Sequence, residues 1–517
     1  MGANLLLGVD VGTYSSKGVL TTPESEVLAI HSVEHDLIIP HPGWAEHDPE
    51  RTWWGEFVDI CRVLLQKARC RGSDVAGVAV SGIGPALLPV DRDGRPLRRA
   101  ILYGIDTRAT REIAELNRRY GSEHMYRVGG SVLTSQAVGP KILWLKVNEP
   151  DVYSAARYFH SASDYIVLRL TGHHVMDMYT ASLYNPLFDI SEGTWTTRFS
   201  EDIVSLDRLP KPAWASEIAG EVSHQAARET NLAAGTPVTV GTVDAVAEAV
   251  SVGAIHPGDL MCMYGTTTFF ILAGDSVVRQ PTMWAVCHAL PDLYGVAAGM
   301  STTGALTRWF RDNFARDLIG AGGGDQAYSA LAEEASQAPA GSLGLVVLPY
   351  FSGERTPIND PQARGLICGL TLSHERRHVY RAILEGTAYG IRHNLETMQE
   401  AGARPNRILA VGGGAKNQTW LQIISDVTGA AQQIPVQTIG AAYGDAFLAG
   451  YASGAIPGLE VLTTQWVEVN RTVEPNPALS ETYGQLYGVY RSLYMHSAGD
   501  QHALAEIASN ADLAYSE

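Results

Sequence analysis

The chain opens with a short apolar run, a polar turn and a second apolar run, which is the pattern of a tight β-hairpin. The pattern predicts a buried strand over residues 5–9 and a second strand that begins near Lys17. The turn between them carries the carboxylate of Asp10, the glycine Gly12 and the hydroxyl of Thr13. Glycine lets a backbone approach an anion, loop N–H groups and hydroxyls donate to its oxygens, and a nearby carboxylate can hold Mg²⁺. The tip is therefore either a site for a metal-bound polyphosphate or an ordinary turn that needs a glycine.

Strand patterns alternate with helical patterns along the rest of the chain, which predicts an α/β fold. A breaker, His256-Pro257-Gly258, interrupts this alternation near the middle. We therefore expect a first domain over residues 1–255, a second over 256–470 and a helical tail over 471–517. The segments that carry the clearest patterns are a strand with a glycine-rich loop at 75–84, strand–loop–helix units at 97–119, 236–255 and 407–429, and a helix at 375–399.

The segment after the breaker repeats the strand–turn–strand pattern found at the start of the chain. Residues 259–272 contain an apolar strand, a tip with Gly265 and Thr266, and a second apolar strand. The parallel is one of pattern and not of identity. It indicates two similar halves, each opening with a hairpin, or a coincidence between two common motifs.

Composition narrows the class of protein. The chain has 517 residues, 45% of them hydrophobic and 18% charged, which is enough for roughly two to four domains with cores of their own. A formal net charge of −17 argues against nucleic acid or an anionic membrane as a partner. Five cysteines without a CxxC pair predict free thiols in a reducing compartment. Because no apolar run reaches membrane-spanning length and no signal peptide precedes the first strand, we expect a cytoplasmic protein.

Three loops with glycines follow predicted apolar strands, at residues 10–17, 264–268 and 411–418. In α/β sheets, ligands bind outside the carboxyl ends of the strands, and a loop before a helix N-terminus favours anions. Each loop alone is also explained by a turn that needs a positive φ. Together with a carboxylate at one tip, the loops favour a nucleotide site. None fits the P-loop pattern GxxxxGK[ST], and residues 412–417 are not a dinucleotide fingerprint.

Asp244 is a second carboxylate of interest, because it lies at a predicted strand-to-helix turn. An aspartate there commonly caps the helix N-terminus. It can also act as a general base that accepts the proton of a hydroxyl attacking a γ-phosphorus. The two roles are compatible.

The segment 365–385 carries the most specific motif in the chain. Every constrained position in it matches the second signature of the FGGY carbohydrate kinases, a family that the chain resembles over roughly residues 4–460 and most closely in the motifs of its xylulokinases. The matching residues are Gly365, Ile367, Gly369, Leu370, His378, Val379, Ala382, Ile383, Leu384 and Glu385. The family's first signature is matched only in part, at Lys141, Trp144, Leu145 and Asn148, with departures at Val138 and Val147.

This resemblance implies two actin-like, ribonuclease-H-like domains with ATP in the cleft between them. It implies that the γ-phosphate of ATP is transferred, with Mg²⁺, to a hydroxyl of a ketopentose such as D-xylulose. Asp244 would be the general base and Asp10 would act on the metal. A small sugar or polyol and ATP would be the partners, and a homodimer is one state that the resemblance allows. The other residues placed at the nucleotide are Gly12, Thr13, Gly265, Thr266, Gly304, Arg308, Gly413, Gly414 and Gln418.

The acceptor site departs from the family pattern. Where xylulokinases carry a Met-His pair after the predicted strand at 75–82, this chain has Gly84-Pro85, and the Arg-Glu of glycerol kinases is absent as well. Gly84 and Pro85 remove side-chain donors and leave room for a larger or differently oriented substrate. Asp106 and Arg108 resemble the family's Trp-x-Asp-x-Arg element. They either hydrogen-bond a polyol or form a structural ion pair.

Three other functions compete with a ketopentose kinase. The acceptor could be ribulose, an aldonate, another polyol or glycerol. The chain could be a silent sugar sensor, against which the retention of Asp10, Thr13 and Asp244 argues. It could also be an actin-like or chaperone ATPase, against which the motif at 365–385 argues. Turnover that requires a sugar separates the first of these from the other two.

Overall fold

The computed structural model describes residues 4–319 and 324–515 of the chain. Its strands are β1 Leu5–Val11, β2 Ser15–Thr21, β3 Val27–Glu34, β4 Glu46–His47, β5 Val75–Gly82, β6 Leu88–Val90, β7 Ala100–Ile101, β8 Tyr158–His160, β9 Val175–Asp177, β10 Phe188–Asp189, β11 Thr194–Trp195, β12 Lys211–Ala213, β13 Ile218–Glu221, β14 Pro237–Thr239, β15 Thr242–Val243, β16 Asp259–Tyr264, β17 Thr268–Gly274, β18 Trp284–Cys287, β19 Tyr294–Met300, β20 Val346–Leu348, β21 Leu366–Cys368, β22 Arg407–Val411, β23 Gln432–Pro435 and β24 Val469–Val473.

Its α-helices are α1 Glu56–Ala68, α2 Thr110–Tyr120, α3 Ser122–Gly129, α4 Val138–Asn148, α5 Pro150–Ala155, α6 Ala162–Thr171, α7 Met178–Ser182, α8 Ser200–Ile203, α9 His224–Thr230, α10 Asp244–Ser251, α11 Gly304–Phe314, α12 Gly324–Ser336, α13 Arg376–Glu400, α14 Gln418–Thr428, α15 Ala441–Ser453 and α16 Ser480–Tyr515. Both predicted hairpins are confirmed, because β1 pairs antiparallel with β2 and β16 pairs antiparallel with β17. The α/β class, the long helix α13 and the helical tail α16 are confirmed as well.

The described residues fall into two compact units, and each unit is assembled from three separate segments of the chain. The first contains Met1–Pro257, Ala273–Gly295 and Ile439–Glu468, and the second contains Gly258–Leu272, Val296–Thr438 and Val469–Glu517. The predicted boundaries at 255/256 and 470/471 divide the chain into continuous domains. In the structure, each unit also includes segments that are distant in sequence. Residues 439–468 belong to the first unit because α15 packs on its sheet.

The sheet of the first unit has the strand order β13–β14–β5–β1–β2–β3, with β15 also paired to β5. Its central strands β1 and β5 are parallel and almost entirely buried, which explains their near-continuous apolar sequences. Helix α1 packs at Gly18, whose added Cβ would lie 2.2 Å from the side chain of Ile60. Helix α15 packs at Gly8, whose Cβ would lie 2.0 Å from the carbonyl oxygen of Ala442. Since Gly8 faces Val19 and strand neighbours alternate, the two helices cover opposite faces.

Helix α15 is rich in small residues and lies unusually close to its neighbours. A Cβ at Gly77 in β5 would lie 2.6 Å from the carbonyl oxygen of Ala449. A Cβ at Gly444 would lie 2.1 Å from the carbonyl oxygen of Ala247 in α10. Backbone atoms cannot yield as a flexible side chain can, so these glycines are required for the packing of α15 on the sheet and on α10.

The second unit is built on a sheet in which β19, β17, β16, β22, β23 and β24 follow in that order. Strands β16 and β22 are parallel, and their last paired residues are Met263 and Val411. The loops after these strands therefore leave the same edge of the sheet. Helices α13 and α14 pack on each other and, with α16, on the strands of this unit.

The conspicuous motif at 365–385 serves packing. Gly386 in α13 lies so close to β20 that a Cβ would be 2.4 Å from the carbonyl oxygen of Val347. Arg381 and Glu385 form a buried ion pair with an Nε–Oε1 distance of 2.9 Å, and Tyr483 of α16 contacts both side chains. Gly386 therefore lets α13 approach β20 closely, and the tail helix is part of this unit's core.

Among the described residues, no helix is long and apolar enough to cross a membrane. All five cysteines are free thiols, as predicted.

Candidate active site

The carboxyl ends of three strands in the first unit meet at one edge of its sheet. Asp10 in β1 and Thr242 in β15 are both in register with Ser81 in β5. The turn that holds Asp244 and the loop that holds Gly84 therefore leave the sheet together. A Cβ at Gly84 would lie 2.6 Å from Cγ2 of Val243, the residue before Asp244. The structure thus brings Asp10, Asp244 and the Gly84 loop to one place.

Four carboxyl groups gather at this edge. Burial raises the pKa of Asp10 to about 6, although a hydrogen bond from Ser81 and the charge of Lys17 oppose the shift. Burial, followed by the charge of Asp10, raises the pKa of Asp244 to about 8 and that of Glu248 to about 7. Burial raises the pKa of Asp445 well above its usual range. Four carboxyl groups buried this close together cannot all be ionised without a compensating positive charge. The cluster therefore favours bound protons or a bound cation.

The donor set at this edge fits Mg²⁺. Among the described residues no group of three or more His, Cys, Asp or Glu side chains is arranged to hold a metal by itself. Mg²⁺ in nucleotide sites is usually held by one or two carboxylates, with phosphates and water completing its octahedron. Asp10 offers such a carboxylate, and Oδ1 of Asp445 is buried nearby in the cluster without a hydrogen-bond partner. Asp10 would hold the ion.

Asp10 has two buried neighbours, Ser81 and Asp445, that sequence reasoning missed. The hydroxyl oxygen of Ser81 lies 3.2 Å from Oδ1 of Asp10 and 2.6 Å from Oδ2 of Asp445 in α15. The backbone N–H of Ser81 donates to the same oxygen of Asp445 at 3.1 Å. Ser81 and Asp445 are fully buried. The one signal in the sequence was a lone carboxylate within a helix of small apolar residues.

The tip of the β1–β2 hairpin is stabilised by polar contacts with neighbouring residues. Gly12 donates its N–H to the carbonyl oxygen of Ser15 at 3.0 Å, which closes the turn. The hydroxyl of Thr13 lies 3.3 Å from the hydroxyl of Tyr103. Nε2 of His47 lies 3.2 Å from the carbonyl oxygen of Thr13. These contacts leave Gly12 and Thr13 half-exposed at the tip, as a loop that receives an anion requires.

Asp244 is the first residue of α10 and not its cap. Val243 occupies the capping position and makes no side-chain hydrogen bond there. Oδ1 of Asp244 accepts a hydrogen bond of 2.7 Å from the N–H of Ala245. The interpretation of Asp244 as a helix cap is therefore wrong by one residue. The turn itself is fixed by Asp177, whose Oδ2 accepts from the hydroxyl of Thr242 at 2.9 Å.

Asp106 and Arg108 form an ion pair in the first unit, one of the two alternatives that the sequence left open. The Nη2–Oδ2 distance is 2.7 Å, and both side chains are fully buried. Arg108 also pairs with Glu46 at 3.0 Å and lies over the ring of Trp44, 4.0 Å from its centroid. Asp106 accepts a further bond from the N–H of Ala45 at 2.7 Å. The pair is part of a rigid wall; its contact with a substrate stays a prediction.

Lys141, which matches the first family signature, lies beside that pair. Its side chain is fully buried and donates to the carbonyl oxygens of Leu102 and Tyr103 at 2.6 and 3.0 Å. Burial lowers the pKa of Lys141 to about 7, while the charge of Asp106 acts in the opposite direction. The signature residue therefore positions the strand and loop that precede Asp106.

The predicted nucleotide residues of the second unit form two loops. In the first, Gly304 donates its N–H to the carbonyl oxygen of Gly265 at 3.1 Å, and Ala305 donates to Thr266 at 2.9 Å. A Cβ at Gly304 would lie 2.4 Å from the carbonyl oxygen of Gly265, so only glycine fits. Thr266 and Arg308 are exposed. This contact joins the hairpin tip to the N-terminus of α11.

The second loop follows β22 and precedes α14. Gly412 adopts a φ of 86°, and a Cβ there would lie 2.7 Å from the carbonyl oxygen of Tyr264. Gly414 packs against Trp420 and Tyr264, whereas Gly413 is exposed with open space around it. Gln418 is the exposed first residue of α14. The loop thus combines an open glycine with a helix N-terminus, which suits a nucleotide. The structure brings the predicted residues of this unit to one edge of its sheet.

The chain matches two family models along most of its length. Residues 5–251 match the N-terminal domain and residues 260–453 the C-terminal domain of the FGGY family of carbohydrate kinases. It is 27% identical to xylulose kinase of Bacillus subtilis over 508 residues, which are 98% of this chain and 99% of that protein. It is 28% identical to autoinducer-2 kinase of Salmonella typhimurium over 516 residues, which are 97% of this chain and 95% of that protein. The crystal structure of xylulose kinase from Rhodospirillum rubrum superposes with a TM-score of 0.89 at 31% identity, over 96% of this chain and 100% of that one.

Proposed function

Because the chain belongs to the FGGY family of carbohydrate kinases, and is therefore a sugar kinase with ATP as its phosphate donor, we propose that its acceptor is a ketopentose of the D-xylulose type and that Mg²⁺ accompanies the ATP. The observation that carries the catalytic part of the proposal is the placement of Asp244. It lies at the carboxyl ends of the parallel strands β1, β5 and β15, in a cluster with Asp10, and its pKa is raised to about 8. A general base is most effective when its pKa lies near the operating pH, and the ionised fraction of Asp244 that can accept a hydroxyl proton grows as the pH approaches 8.

Each site residue of the first unit then has a defined role in the transfer. Asp244 accepts the proton of the acceptor hydroxyl as that hydroxyl attacks the γ-phosphorus. Thr13 offers a hydroxyl to phosphate oxygens, and Gly12, which has no side chain, lets them approach the backbone of the tip. Asp10 would hold Mg²⁺, which when bound neutralises charge on the phosphates. Lys17 donates to the carbonyl oxygen of Ile439 at 3.1 Å and supplies positive charge beside Asp10.

The second unit contributes the residues for ATP. Gly265 at the hairpin tip and Gly304 at the start of α11 suit the β- and γ-phosphates because they present backbone without side chains, and the exposed Thr266 offers a hydroxyl. Arg308 lies exposed one turn further along α11 and suits a phosphate charge. In the other loop, Gly413 is open to approach, while Gly414 and Gln418 flank it; this loop suits the adenosine.

The acceptor class rests on relatives and on the loop after β5. The curated relatives named xylulose kinase favour a ketopentose. Gly84 is half-buried and Pro85 is buried, so that loop presents little side chain to an acceptor. Asp106 and Arg108 would form a polar wall of the acceptor site. A second acceptor class is favoured by the relative named autoinducer-2 kinase, which matches over a similar share of the chain. An acceptor of different shape from a ketopentose is therefore the alternative.

The test is release of ADP by the purified protein with Mg-ATP across a panel of ketopentoses, ketohexoses, pentitols, glycerol and aldonates. We expect strong ADP release with D-xylulose or a close ketopentose, and background release without any acceptor. The variant Asp244→Asn should release no ADP above background with the same acceptor. Preference for an acceptor outside the ketopentoses would contradict the proposed substrate. Silence with every acceptor, although ATP binds, would contradict the kinase and favour a sensor.

The role of the Gly84 loop needs a variant designed around its neighbour. A side chain at position 84 would press on Val243 and so on the turn of Asp244. The variant Gly84→Met, Pro85→His should therefore be made together with Val243→Ala. We expect the triple variant to gain preference for D-xylulose relative to Val243→Ala alone. An unchanged ranking of acceptors would show that this loop does not set specificity.

A further inference from the structure

Ser81 has one hydroxyl hydrogen and two carboxyl groups within reach of it. Its oxygen lies 2.6 Å from Oδ2 of Asp445 and 3.2 Å from Oδ1 of Asp10. A hydroxyl can donate only one strong hydrogen bond, and the shorter contact takes the hydrogen. The N–H of Ser81 points at the same oxygen of Asp445 at 3.1 Å. Asp445 therefore accepts both hydrogens of Ser81, and Oδ1 of Asp10 is left without a strong donor from it.

The position of Asp445 is determined by the helix that carries it. Gly8 in β1 admits α15 so closely that its Cβ would lie 2.9 Å from Cβ of Asp445. Gly444, the residue before Asp445, admits the backbone of α10 at Ala247. The two glycines lock α15 between the strand that bears Asp10 and the helix that begins with Asp244. Asp445 cannot move away from Ser81 without moving this helix.

We propose that Asp445 is a positioning residue for Asp10, and that it acts through Ser81 by holding the serine hydrogens away from the Asp10 oxygen that receives a divalent cation. The inference rests on the proposed function in one respect, the role of Asp10 at Mg²⁺. Without Asp445, the hydroxyl hydrogen of Ser81 turns to Oδ1 of Asp10 and competes with the cation for the electron density of that oxygen. Groups that orient a metal ligand in this way commonly change metal affinity by about tenfold to a hundredfold when removed.

Further observations agree with this assignment. Asp445 and Ser81 are both fully buried, so water does not replace the contact. Oδ1 of Asp445 is buried and accepts no hydrogen bond. Among the described residues, the side chain of Asp445 therefore accepts hydrogen bonds from Ser81 alone. Burial keeps the pKa of Asp445 well above its usual range. A neutral amide at this position should therefore do the same work.

The experiment is a double-variant cycle read by metal binding. Wild type, Asp445→Ala, Ser81→Ala and the double variant are titrated with Mn²⁺ in the presence of ADP, and free Mn²⁺ is measured by its electron paramagnetic resonance signal. We expect Asp445→Ala to weaken Mn²⁺ binding about tenfold. The double variant should lie within about twofold of Ser81→Ala, because the hydroxyl is the hydrogen-bonded route by which Asp445 acts on Asp10. Losses that multiply in the double variant, or no loss in Asp445→Ala, would overturn the proposal.

Two controls separate positioning from stability. Asp445→Asn keeps an acceptor for Ser81 and should bind Mn²⁺ within about threefold of wild type; a loss as large as that of Asp445→Ala would contradict the mechanism. Phe447→Leu alters a buried ring of the same helix that stacks on Tyr451. It should lower the melting temperature and leave Mn²⁺ binding unchanged. Weakened Mn²⁺ binding in Phe447→Leu equal to that of Asp445→Ala would show a merely structural effect.

Turnover supplies a second readout with a distinct failure. With an accepted sugar, Asp445→Ala should lower kcat and raise the Mg²⁺ concentration needed for half-maximal rate, with the acceptor KM unchanged. If the wild type phosphorylates no acceptor, the proposed function fails, while the Mn²⁺ cycle still decides the role of Asp445. A raised acceptor KM with unchanged Mn²⁺ binding would overturn the inference and leave the kinase assignment intact.

Discussion

The indole N–H of Trp53 donates to Nδ1 of His47 at 3.1 Å, and this contact decides which ring nitrogen of the histidine carries its proton. An indole N–H can only donate, so Nδ1 must accept and the hydrogen lies on Nε2. Nε2–H then donates to the carbonyl oxygen of Thr13 at 3.2 Å. A buried tryptophan thereby orients the hairpin tip, the proposed phosphate site, through a histidine that stays neutral.

The neutral state of His47 can be tested by its titration. Burial, helped by the charge of His35, lowers the pKa of His47 to about 4. Between about pH 6.5 and 4 the unfolded chain binds this proton and the folded chain does not, so folding stability is lost as the pH falls through that window. Nuclear magnetic resonance of ¹⁵N-histidine, assigned with His47→Gln, should show His47 as the Nε2–H tautomer from pH 8 to 5. Protonation of His47 near pH 6.5 would contradict this.

Asp244→Asn should trade stability against activity. A folded-state pKa of about 8 for this acid means that its ionised form is disfavoured in the folded chain, so the cost to stability grows as the pH rises from about 4 to 8. The amide removes that cost and keeps the bond from Ala245. We expect a melting temperature at pH 8 above that of wild type, with kcat lowered about a thousandfold.

The control for Asp244→Asn is an exposed carboxylate of the same unit. Glu24→Gln, in the turn before β3, should change neither the melting temperature nor kcat. Calorimetry at pH 4, 6 and 8 gives the melting temperatures, and ADP release gives kcat. A melting temperature of Asp244→Asn below that of wild type at all three pH values would assign a structural role to the side chain.

Gly304→Ala should weaken ATP selectively. The added methyl would lie 2.4 Å from the carbonyl oxygen of Gly265, and a backbone atom can escape this contact only if the hairpin tip shifts. We expect the KM for ATP to rise about tenfold with the acceptor KM unchanged. Steady-state kinetics with each substrate varied in turn measures both. Equal increases in the two KM values would point to a general loss of structure.

Gly413→Ala is the matched test of an open glycine. No heavy atom lies within 4 Å of a Cβ built there, so the protein itself tolerates the methyl group. The melting temperature should be unchanged, and any loss of ATP affinity then reports a ligand that approaches this backbone directly. Isothermal titration with ATP measures the affinity. Unchanged affinity for ATP would remove Gly413 from the nucleotide site.

Asp106→Asn should lower the stability of the fold and raise the acceptor KM, because it breaks the buried ion pair with Arg108. Removal of the Asp106 charge leaves Glu46 as an anionic partner of the buried Arg108, so the unfolding free energy should fall by less than the roughly 3 kcal/mol that an unpaired buried charge costs. We also expect a higher acceptor KM, because the pair forms the proposed wall of the acceptor site. Glu115→Gln, which breaks the exposed pair with Arg118, should change neither quantity. Lower stability with an unchanged acceptor KM would assign the pair to structure alone.

Much of the fold was predictable because its signals are local. The hairpins at β1–β2 and β16–β17 and the strand–loop–helix unit of β22 and α14 follow from runs of apolar residues and the turn residues beside them. The helix α13 follows from its periodicity. The cap of α10 was misplaced by one residue, since the exact start of a helix depends on backbone geometry that residue type alone does not specify.

The chain by itself determined the α/β class, the glycine-bearing tips and the candidacy of Asp10 and Asp244, because each rests on a few adjacent residues. Only the tertiary structure decided that Asp445, hundreds of residues from Asp10 along the chain, shares Ser81 with it. That contact exists because Gly8 and Gly444 let backbones approach more closely than any side chain allows. Such close approach is a property of two surfaces together, so it is absent from the pattern of either segment alone.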